Sequence, residues 1–261
     1  RVITSRKYFV LLRTLKKALF AAVEQAVGSE TSLAIAFSGG LDSSLLAKIC
    51  KDIRVEVTLL TIGFTDAYDI SFSREIASKM GLPHKILKLD DECFESNVNH
   101  IRNKIKCNII SHLENCVGFF YIGKFAHANG FRSVLTANGC DELFCGYDRF
   151  RLVYNQGSAT LMKFMDEKLE NEFVLMQEID SITREFGIKI KQPFLSPDFI
   201  SLAKNIPIDQ KINGPNDLFR KHILREVAVS MNVPNQSAMQ RKKALQYSSG
   251  IHKNFCKVYR E

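Results

Sequence analysis

The chain has no tryptophan and no apolar run long enough to cross a membrane. Its 19 phenylalanines must therefore supply much of the aromatic packing surface. A membrane-spanning helix needs roughly 18 or more consecutive apolar residues. Near the start, Arg13, Lys16 and Lys17 interrupt the apolar residues, which argues against a signal peptide. We therefore expect no membrane partner.

The seven cysteines are irregularly spaced, and no C-x-x-C pair occurs. This odd number is typical of a reducing, cytoplasmic compartment rather than of a disulfide framework. Cys107, His112 and Cys116 can group around a metal on one helix, but three soft ligands do not complete a zinc site. The sequence therefore favours an ordinary packed helix at this position.

Basic residues outnumber acidic ones, since 36 Lys and Arg against 28 Asp and Glu leave a formal net charge of +8. This charge indicates an anionic partner, and nucleic acid, a nucleotide or an acidic substrate would each suit it. The basic residues are spread along the chain, with one dense cluster at residues 241–243. Charge alone therefore does not select among these partners.

Short apolar segments alternate with helical ones in the first 150 residues. Strand patterns occur at residues 32–37, 55–64, 85–89 and 133–136. This alternation predicts an α/β fold with a parallel sheet flanked by helices. We expect one domain over residues 1–261, with a leading helix (1–28), an α/β core (29–150) and a helical C-terminal part (151–261) that shows no strong strand signal.

The segment A-F-S-G-G-L-D-S-S at residues 36–44 carries the most chemical information. A strand ends, two glycines allow a tight turn, and a helix begins whose free N–H groups and dipole favour an anion. Serine hydroxyls add donors, and Asp42 suits a Mg²⁺ ion beside a phosphate. The segment matches neither the Walker P-loop nor the G-x-G-x-x-G pattern.

The string S-G-G-L-D-S-S resembles the signature of the PP-loop ATP pyrophosphatases, which cleave ATP between the α and β phosphates and adenylate a substrate oxygen. L-T-A-N-G-C-D-E-L-F-C-G-Y at residues 135–147 is similar to the S-G-E-G-A-D-E-L-F-G-G-Y segment of asparagine synthetases. Asp180 with Q-P-F-L at residues 192–195, and then the basic residues 241–250, match two later segments of that family in the expected order.

The resemblance implies ATP and Mg²⁺ as cofactors and assigns roles to individual residues. It places Asp42 and Asp141 at the metal. It places Lys242 or Lys243 beside the negative charge of the phosphates or the acyl-adenylate, and the alignment of the basic segment with the family is ambiguous by one residue. In a parallel sheet, both aspartates would face one crevice. The nucleotide-binding positions are Ala36, Ser38, Gly39, Gly40, Leu41, Asp42, Ser43, Ser44, Ile62, Gly63, Thr136, Ala137 and Gly139.

The acceptor half of the site departs from the family pattern. Asn138 stands where asparagine synthetases have a glutamate thought to assist proton transfer, and an amide can orient a nucleophile but cannot take its proton. Further departures are Ala137 for Gly, Lys189 for Glu, Lys191 for Arg and Ser196 for Asp. The resemblance therefore supports ATP chemistry better than it supports a particular acceptor.

Three hypotheses follow. The first is an AMP-forming amide ligase that adenylates a small carboxylate, aspartate by resemblance, for attack by ammonia. Residues 1–261 include no glutaminase domain. The enzyme would therefore use free ammonia from solution, or ammonia from a separate or missing glutaminase domain. The second is a PP-loop enzyme acting on tRNA, to which Cys140 and Cys145 would contribute, although the motifs disfavour nucleic acid. The third is a nucleotide-binding pseudo-enzyme, and the oligomeric state is left open.

Overall fold

The computed structural model describes residues 5–90, 92–107 and 109–258. Its centre is a five-stranded sheet in the order β3-β2-β1-β4-β5, and every neighbouring pair is parallel. The strands are β1 (Ser32–Ala36), β2 (Glu56–Phe64), β3 (His84–Leu89), β4 (Ser133–Leu135) and β5 (Lys189–Lys191). The predicted fold class, a parallel sheet flanked by helices, is confirmed.

Helices fill the connections between strands and make up most of the described chain after residue 140. They are α1 (Ser5–Val27), α2 (Leu41–Asp52), α3 (Tyr68–Met80), α4 (Phe94–Lys104), α5 (Ile110–Ala128), α6 (Cys140–Leu143), α7 (Arg149–Val153), α8 (Ser158–Thr183), α9 (Pro197–Asn205), α10 (His222–Ser230), α11 (Asn235–Ala238), α12 (Leu245–Ser248) and α13 (Ile251–Val258). Among the described residues, none of these helices combines the length and the apolar character needed to cross a membrane.

Strand β5 lies in the C-terminal part, where the sequence shows no strong strand signal. It is only three residues long, Lys-Ile-Lys, and it pairs solely with β4, so that Ser133 lies opposite Lys189. Such a strand is too short to show an alternating pattern in the sequence. Lysines are common on edge strands because they discourage further pairing.

The order of the strands creates a crevice beside β1. The chain moves from β1 outward to β2 and β3, and then returns to β4 on the other side of β1. Right-handed crossovers therefore place the helices of the two halves on opposite faces of the sheet. Leu33 and Ile35 point to one face of β1 and Ala34 to the other, and all three are fully buried, as expected for a central strand covered on both faces. Ligands of such sheets bind where the direction of winding reverses, at the carboxyl ends of the strands.

Candidate active site

The turn after β1 is held in a conformation that only glycine accepts. Gly39 has a φ of +77°, and a Cβ atom there would lie 3.1 Å from the Cα atom of Ser73. The Ser38 and Ser43 hydroxyls are 3.3 Å apart, and the Ser38 hydroxyl accepts a long hydrogen bond of 3.3 Å from the N–H of Gly40. Among the described residues, no side chain forms a capping hydrogen bond at the start of α2, so its first N–H groups are available to an anion.

Two carboxylates from adjacent strand ends meet at one lysine. Asp42 lies in the first turn of α2, and Asp141 lies in the first turn of α6. The ammonium of Lys221 lies 2.6 Å from Oδ2 of Asp42 and 2.7 Å from Oδ1 of Asp141. The structure thus brings the two predicted metal ligands together and adds a cation between them that the motifs do not indicate.

The backbone that carries Lys221 is unusual. Arg220 and Lys221 have φ angles of +35° and +56°, which non-glycine residues rarely adopt, and both side chains are buried. The Arg220 guanidinium donates two hydrogen bonds to the carbonyl of Gly146, at 3.2 and 3.0 Å, and also pairs with Asp148. These contacts fix the turn that aims Lys221 at the two aspartates. Residues in strained conformations of this kind often serve function.

Ion pairing determines the direction in which the pKa values of Lys221 and Asp141 are shifted. Burial disfavours the charged form of Lys221, but the carboxylates of Asp141 and Asp42 outweigh it and raise its pKa. Burial likewise opposes ionisation of Asp141, yet Lys221 and Lys242 together hold the pKa of that carboxyl well below its ordinary value. Both side chains are therefore charged at neutral pH.

The same centre fits a magnesium ion held against phosphates. Both ligands are carboxylate oxygens, which Mg²⁺ prefers. Oδ1 of Asp42 is buried and has no hydrogen-bond partner among the described residues. Such an unpaired buried oxygen is costly unless a ligand satisfies it. Asp42 and Asp141 would therefore hold the ion, with Lys221 beside it.

Lys242 and Lys243 have different surroundings. The ammonium of Lys242 forms an ion pair with Oδ2 of Asp141. The ammonium of Lys243 instead lies 3.1 Å from the ring centroid of Tyr68, in a cation–π contact. The resemblance does not distinguish these two lysines. In the structure, it is Lys242 that contacts Asp141.

Most of the sequence-predicted residues line two adjoining cavities, of about 310 and 70 Å³. The larger is lined by Ala36, Ser38, Asp42, Ser43, Ile62, Thr136, Ala137, Asn138, Asp141, Lys242 and Lys243, and the smaller also by Gly40 and Leu41. Four other predicted residues, all in described segments, do not line either cavity: Gly39, Ser44, Gly63 and Gly139. Ser44 donates instead to the carbonyl of Gly39 at 3.1 Å. Nucleotide binding stays a prediction for all of these residues.

A buried pair of carboxyl groups, Glu142 and Glu172, lines the larger cavity. The Asn138 amide donates a hydrogen bond of 2.6 Å to Oε1 of Glu172, and the Tyr147 hydroxyl donates to Glu142. Burial is the largest cause that raises the pKa of both glutamates. The charges of Glu172 and Asp141 raise that of Glu142 further, whereas hydrogen bonds with Asn138 and Glu142 partly offset the rise at Glu172. Because the two carboxyl groups interact closely, protonation of one depends on the protonation of the other.

The sequence did not single out four residues of this site: Lys221, Glu142, Tyr147 and Glu172. Glu142 and Tyr147 belong to the second motif, which was available as a signal. Glu172 is one of many charged residues on a long helix. Lys221 belongs to no motif and is one of the 36 basic residues of the chain. The fold brings Glu172 to the larger cavity and Lys221 to the smaller one.

Cys140 and Cys145 do not behave as reactive thiols. Both are fully buried. Burial raises the pKa of the Cys145 thiol to about 12, and burial together with Asp42 raises that of Cys140 well above its ordinary value. A nucleophilic cysteine requires an accessible thiolate. The geometry therefore removes the support that these cysteines gave to sulfur transfer.

A glycine–serine turn at a strand end, with two aspartates at the winding reversal of a parallel sheet, defines a nucleotide-binding protein of the PP-loop type. Residues 14–173 and 162–260 match the model of the family described as Asparagine synthase. The chain belongs to the asparagine synthase family.

Individual relatives agree with this assignment. The chain is 28% identical over 284 residues to a putative glutamine-hydrolyzing asparagine synthetase of Methanocaldococcus jannaschii, with 97% of this chain and 52% of the relative covered. It is also 28% identical over 239 residues to the glutamine-hydrolyzing asparagine synthetase of Rattus norvegicus, with 88% and 42% covered. The chain thus spans about half the length of these curated relatives.

Among solved structures, an NH3-dependent NAD synthetase from Campylobacter jejuni is similar, with a TM-score of 0.38 and 16% sequence identity. The similarity covers 74% of this chain and 92% of that one.

Proposed function

We propose that the chain is an ATP-dependent, AMP- and pyrophosphate-forming ligase that joins a carboxylate to a nitrogen nucleophile. The observation that carries the proposal is the contact of Lys221 with Asp42 and Asp141 beside the uncapped start of α2. Residues 1–261 would act as one domain. Its α/β core would bind the nucleotide, and its C-terminal part would supply Glu172, Lys221 and Lys242.

In the first step, a carboxylate oxygen of the acceptor would attack the α-phosphorus of ATP. A new P–O bond forms, and the bond to pyrophosphate breaks. Negative charge grows on the leaving group, so preorganised cations beside it lower the barrier. Lys221 and Lys242 supply this charge, and the turn at Ser38 and Ser43 supplies hydrogen-bond donors. Magnesium, when bound by Asp42 and Asp141, would neutralise further phosphate charge.

In the second step, the nitrogen nucleophile would attack the acyl carbon, and AMP would leave as the C–O bond breaks. The nitrogen must then lose a proton. Asn138 cannot accept it, but its amide holds Glu172, whose carboxyl lies beside Glu142. The ionised member of this pair would take the proton, because a carboxylate whose pKa is raised binds a proton more strongly than an ordinary one.

Aspartate and ammonia are the reactants that family membership favours. The chain should therefore be assayed with ATP, Mg²⁺, L-aspartate and ammonium, with AMP, pyrophosphate and amide measured together. Equal amounts of the three products, formed only with aspartate, would support the proposal. AMP and pyrophosphate formed only with another carboxylate or amine would support the ligase class and change the acceptor. ATP binding without AMP for every acceptor would indicate a pseudo-enzyme.

The role of Glu172 needs a matched comparison. Glu172→Gln should slow amide formation roughly 100-fold or more, because proton transfer by a positioned base contributes about 10²–10⁴-fold. Pyrophosphate release in the first turnover should change little. The control is Glu170→Gln, which removes an exposed carboxylate two residues away on α8. Equal rates of amide formation in the two variants would contradict the proposed role.

A further inference from the structure

Three side chains of metal-ligand type meet where α5 packs against α8. Cys107 precedes α5, His112 lies in its first turn, and Glu178 lies on α8. The thiol sulfur, an imidazole nitrogen and a carboxylate oxygen all lie within 4.8 Å of one another. We refer to these three residues as the Cys107 cluster.

Two atoms of the Cys107 cluster are buried and unpaired. Nδ1 of His112 and Oε2 of Glu178 have no hydrogen-bond partner among the described residues. They lie 3.9 Å apart, which is too long for a hydrogen bond. The other carboxylate oxygen, Oε1, is held by the backbone N–H of Cys107 at 2.9 Å. Unpaired buried polar atoms are costly, so a ligand that satisfies both is expected between them.

We propose that Cys107, His112 and Glu178 bind a Zn²⁺ ion. Thiolate, imidazole and carboxylate are the three ligand types that zinc takes from proteins. Tetrahedral ligands at about 2.0–2.3 Å from zinc lie roughly 3.3–3.8 Å from one another. The observed separations need only small side-chain adjustments to reach this arrangement. On binding, the Cys107 thiol would release its proton to solvent and bond to the metal as a thiolate.

The proposed ion would lie at the wall of the larger cavity. His112 and its neighbours Ser111 and Asn115 line that cavity. Three protein ligands and an open fourth position are typical of zinc sites that bind water or a substrate atom. The fourth ligand would therefore be water or an electron-donating atom of the acceptor. The sequence favoured a packed helix because only Cys107, His112 and Cys116 are close together in the chain. Glu178 lies on α8 and comes near them only in the fold.

The test measures metal binding directly and does not depend on the ligase reaction. The protein is stripped with a chelator and dialysed against Zn²⁺ with Mg²⁺ in excess, so that Asp42 and Asp141 do not contribute. We expect one zinc per chain by elemental analysis. With Co²⁺ in place of zinc, we expect the charge-transfer absorption band of a thiolate ligand.

Variants identify the ligands. Cys107→Ser should remove the charge-transfer band, and His112→Ala and Glu178→Gln should weaken zinc binding roughly 100-fold or more, since loss of even an outer partner costs about 10–100-fold. The control is Cys93→Ser, an exposed cysteine outside the cluster, which should keep both the zinc and the band. Circular dichroism would show that each variant is folded. Absence of zinc from the folded wild-type protein, or a band that survives in Cys107→Ser, would overturn the proposal.

Discussion

The ammonium of Lys221 lies 2.6 Å from the carboxylate of Asp42, although 179 positions separate the two residues in the chain. Asp42 belongs to the first turn after β1, whereas Lys221 comes from the C-terminal part. The proposed nucleotide site is therefore complete only when both parts of the chain are folded together. Folding of the C-terminal part and binding of the nucleotide should stabilise each other.

Lys221→Met tests this coupling. The substitution leaves Asp42 and Asp141 buried with one cation fewer, and breaking a buried ion pair typically costs about 3–5 kcal/mol. We expect a lower free energy of unfolding in urea and loss of ATP turnover. The double variant Asp42→Asn/Lys221→Met should recover part of the stability, because it removes one uncompensated charge. If the double variant loses as much stability as the two single variants together, Asp42 and Lys221 do not interact directly, and the account is contradicted.

Lys242 and Lys243 should differ in their effect on pyrophosphate release. Lys242 pairs with Asp141, so Lys242→Met should slow the release roughly 10²–10³-fold, the range found when one preorganised charge-stabilising donor is removed. Lys243→Met loses a contact with Tyr68 instead, and its effect should be much smaller. The rates are measured in a single turnover at saturating ATP. A larger effect at Lys243 would show that the other alignment of the basic segment is the functional one.

Gly146 permits the close approach of Asp141 and Lys221. A Cβ atom at Gly146 would overlap Oδ1 of Asp141 and Cε of Lys221, and it would lie 2.8 Å from Cα of Asp141. Gly146→Ala should therefore cost about 2–3 kcal/mol of stability and abolish turnover.

The control for this steric argument is Gly187→Ala. Gly187 also has a positive φ, +67°, but a Cβ atom there meets nothing within 4 Å. It should cost about 1 kcal/mol of stability, from backbone strain alone, and keep turnover. Equal turnover in the two variants would contradict the steric role of Gly146.

Asp69 should make stability depend on pH. Its buried carboxyl accepts a hydrogen bond of 2.8 Å from the Ser248 hydroxyl, yet burial raises its pKa to about 7. Between about pH 4 and pH 7, the folded protein holds a proton that the unfolded chain has released. The contribution of Asp69 to stability therefore falls as the pH rises through this window, by at most about 4 kcal/mol.

Asp69→Asn removes this titration. Its stability relative to wild type should be higher at pH 8 than at pH 5, as measured by urea unfolding at both values. The same difference at both pH values would contradict the assignment to Asp69.

The local motifs predicted the parts of the site that are contiguous in the chain. The turn at Ser38 follows from short-range rules, because two glycines and a strand end determine it, whereas Asp141 was assigned through the family resemblance of the second motif. Lys221 could not be predicted, since its direction depends on two residues with positive φ and on the contact between Arg220 and Gly146. Glu172 could not be predicted either, because the hydrophobic periodicity of α8 shows which residues are buried but not which cavity they reach. Strand β5 was too short to leave a pattern.

The measurement that tests the account most directly is the identity of the nucleotide products in the wild-type chain and in Asp42→Asn. With Mg²⁺, aspartate and ammonium, the account predicts AMP and pyrophosphate from the wild type, and a loss of both of roughly 100-fold or more in the variant. Circular dichroism of both proteins would show that the variant is folded. ADP and phosphate as products, or equal rates of AMP formation in the two proteins, would contradict the central claim that Asp42 belongs to a centre that cleaves ATP at the α-phosphate.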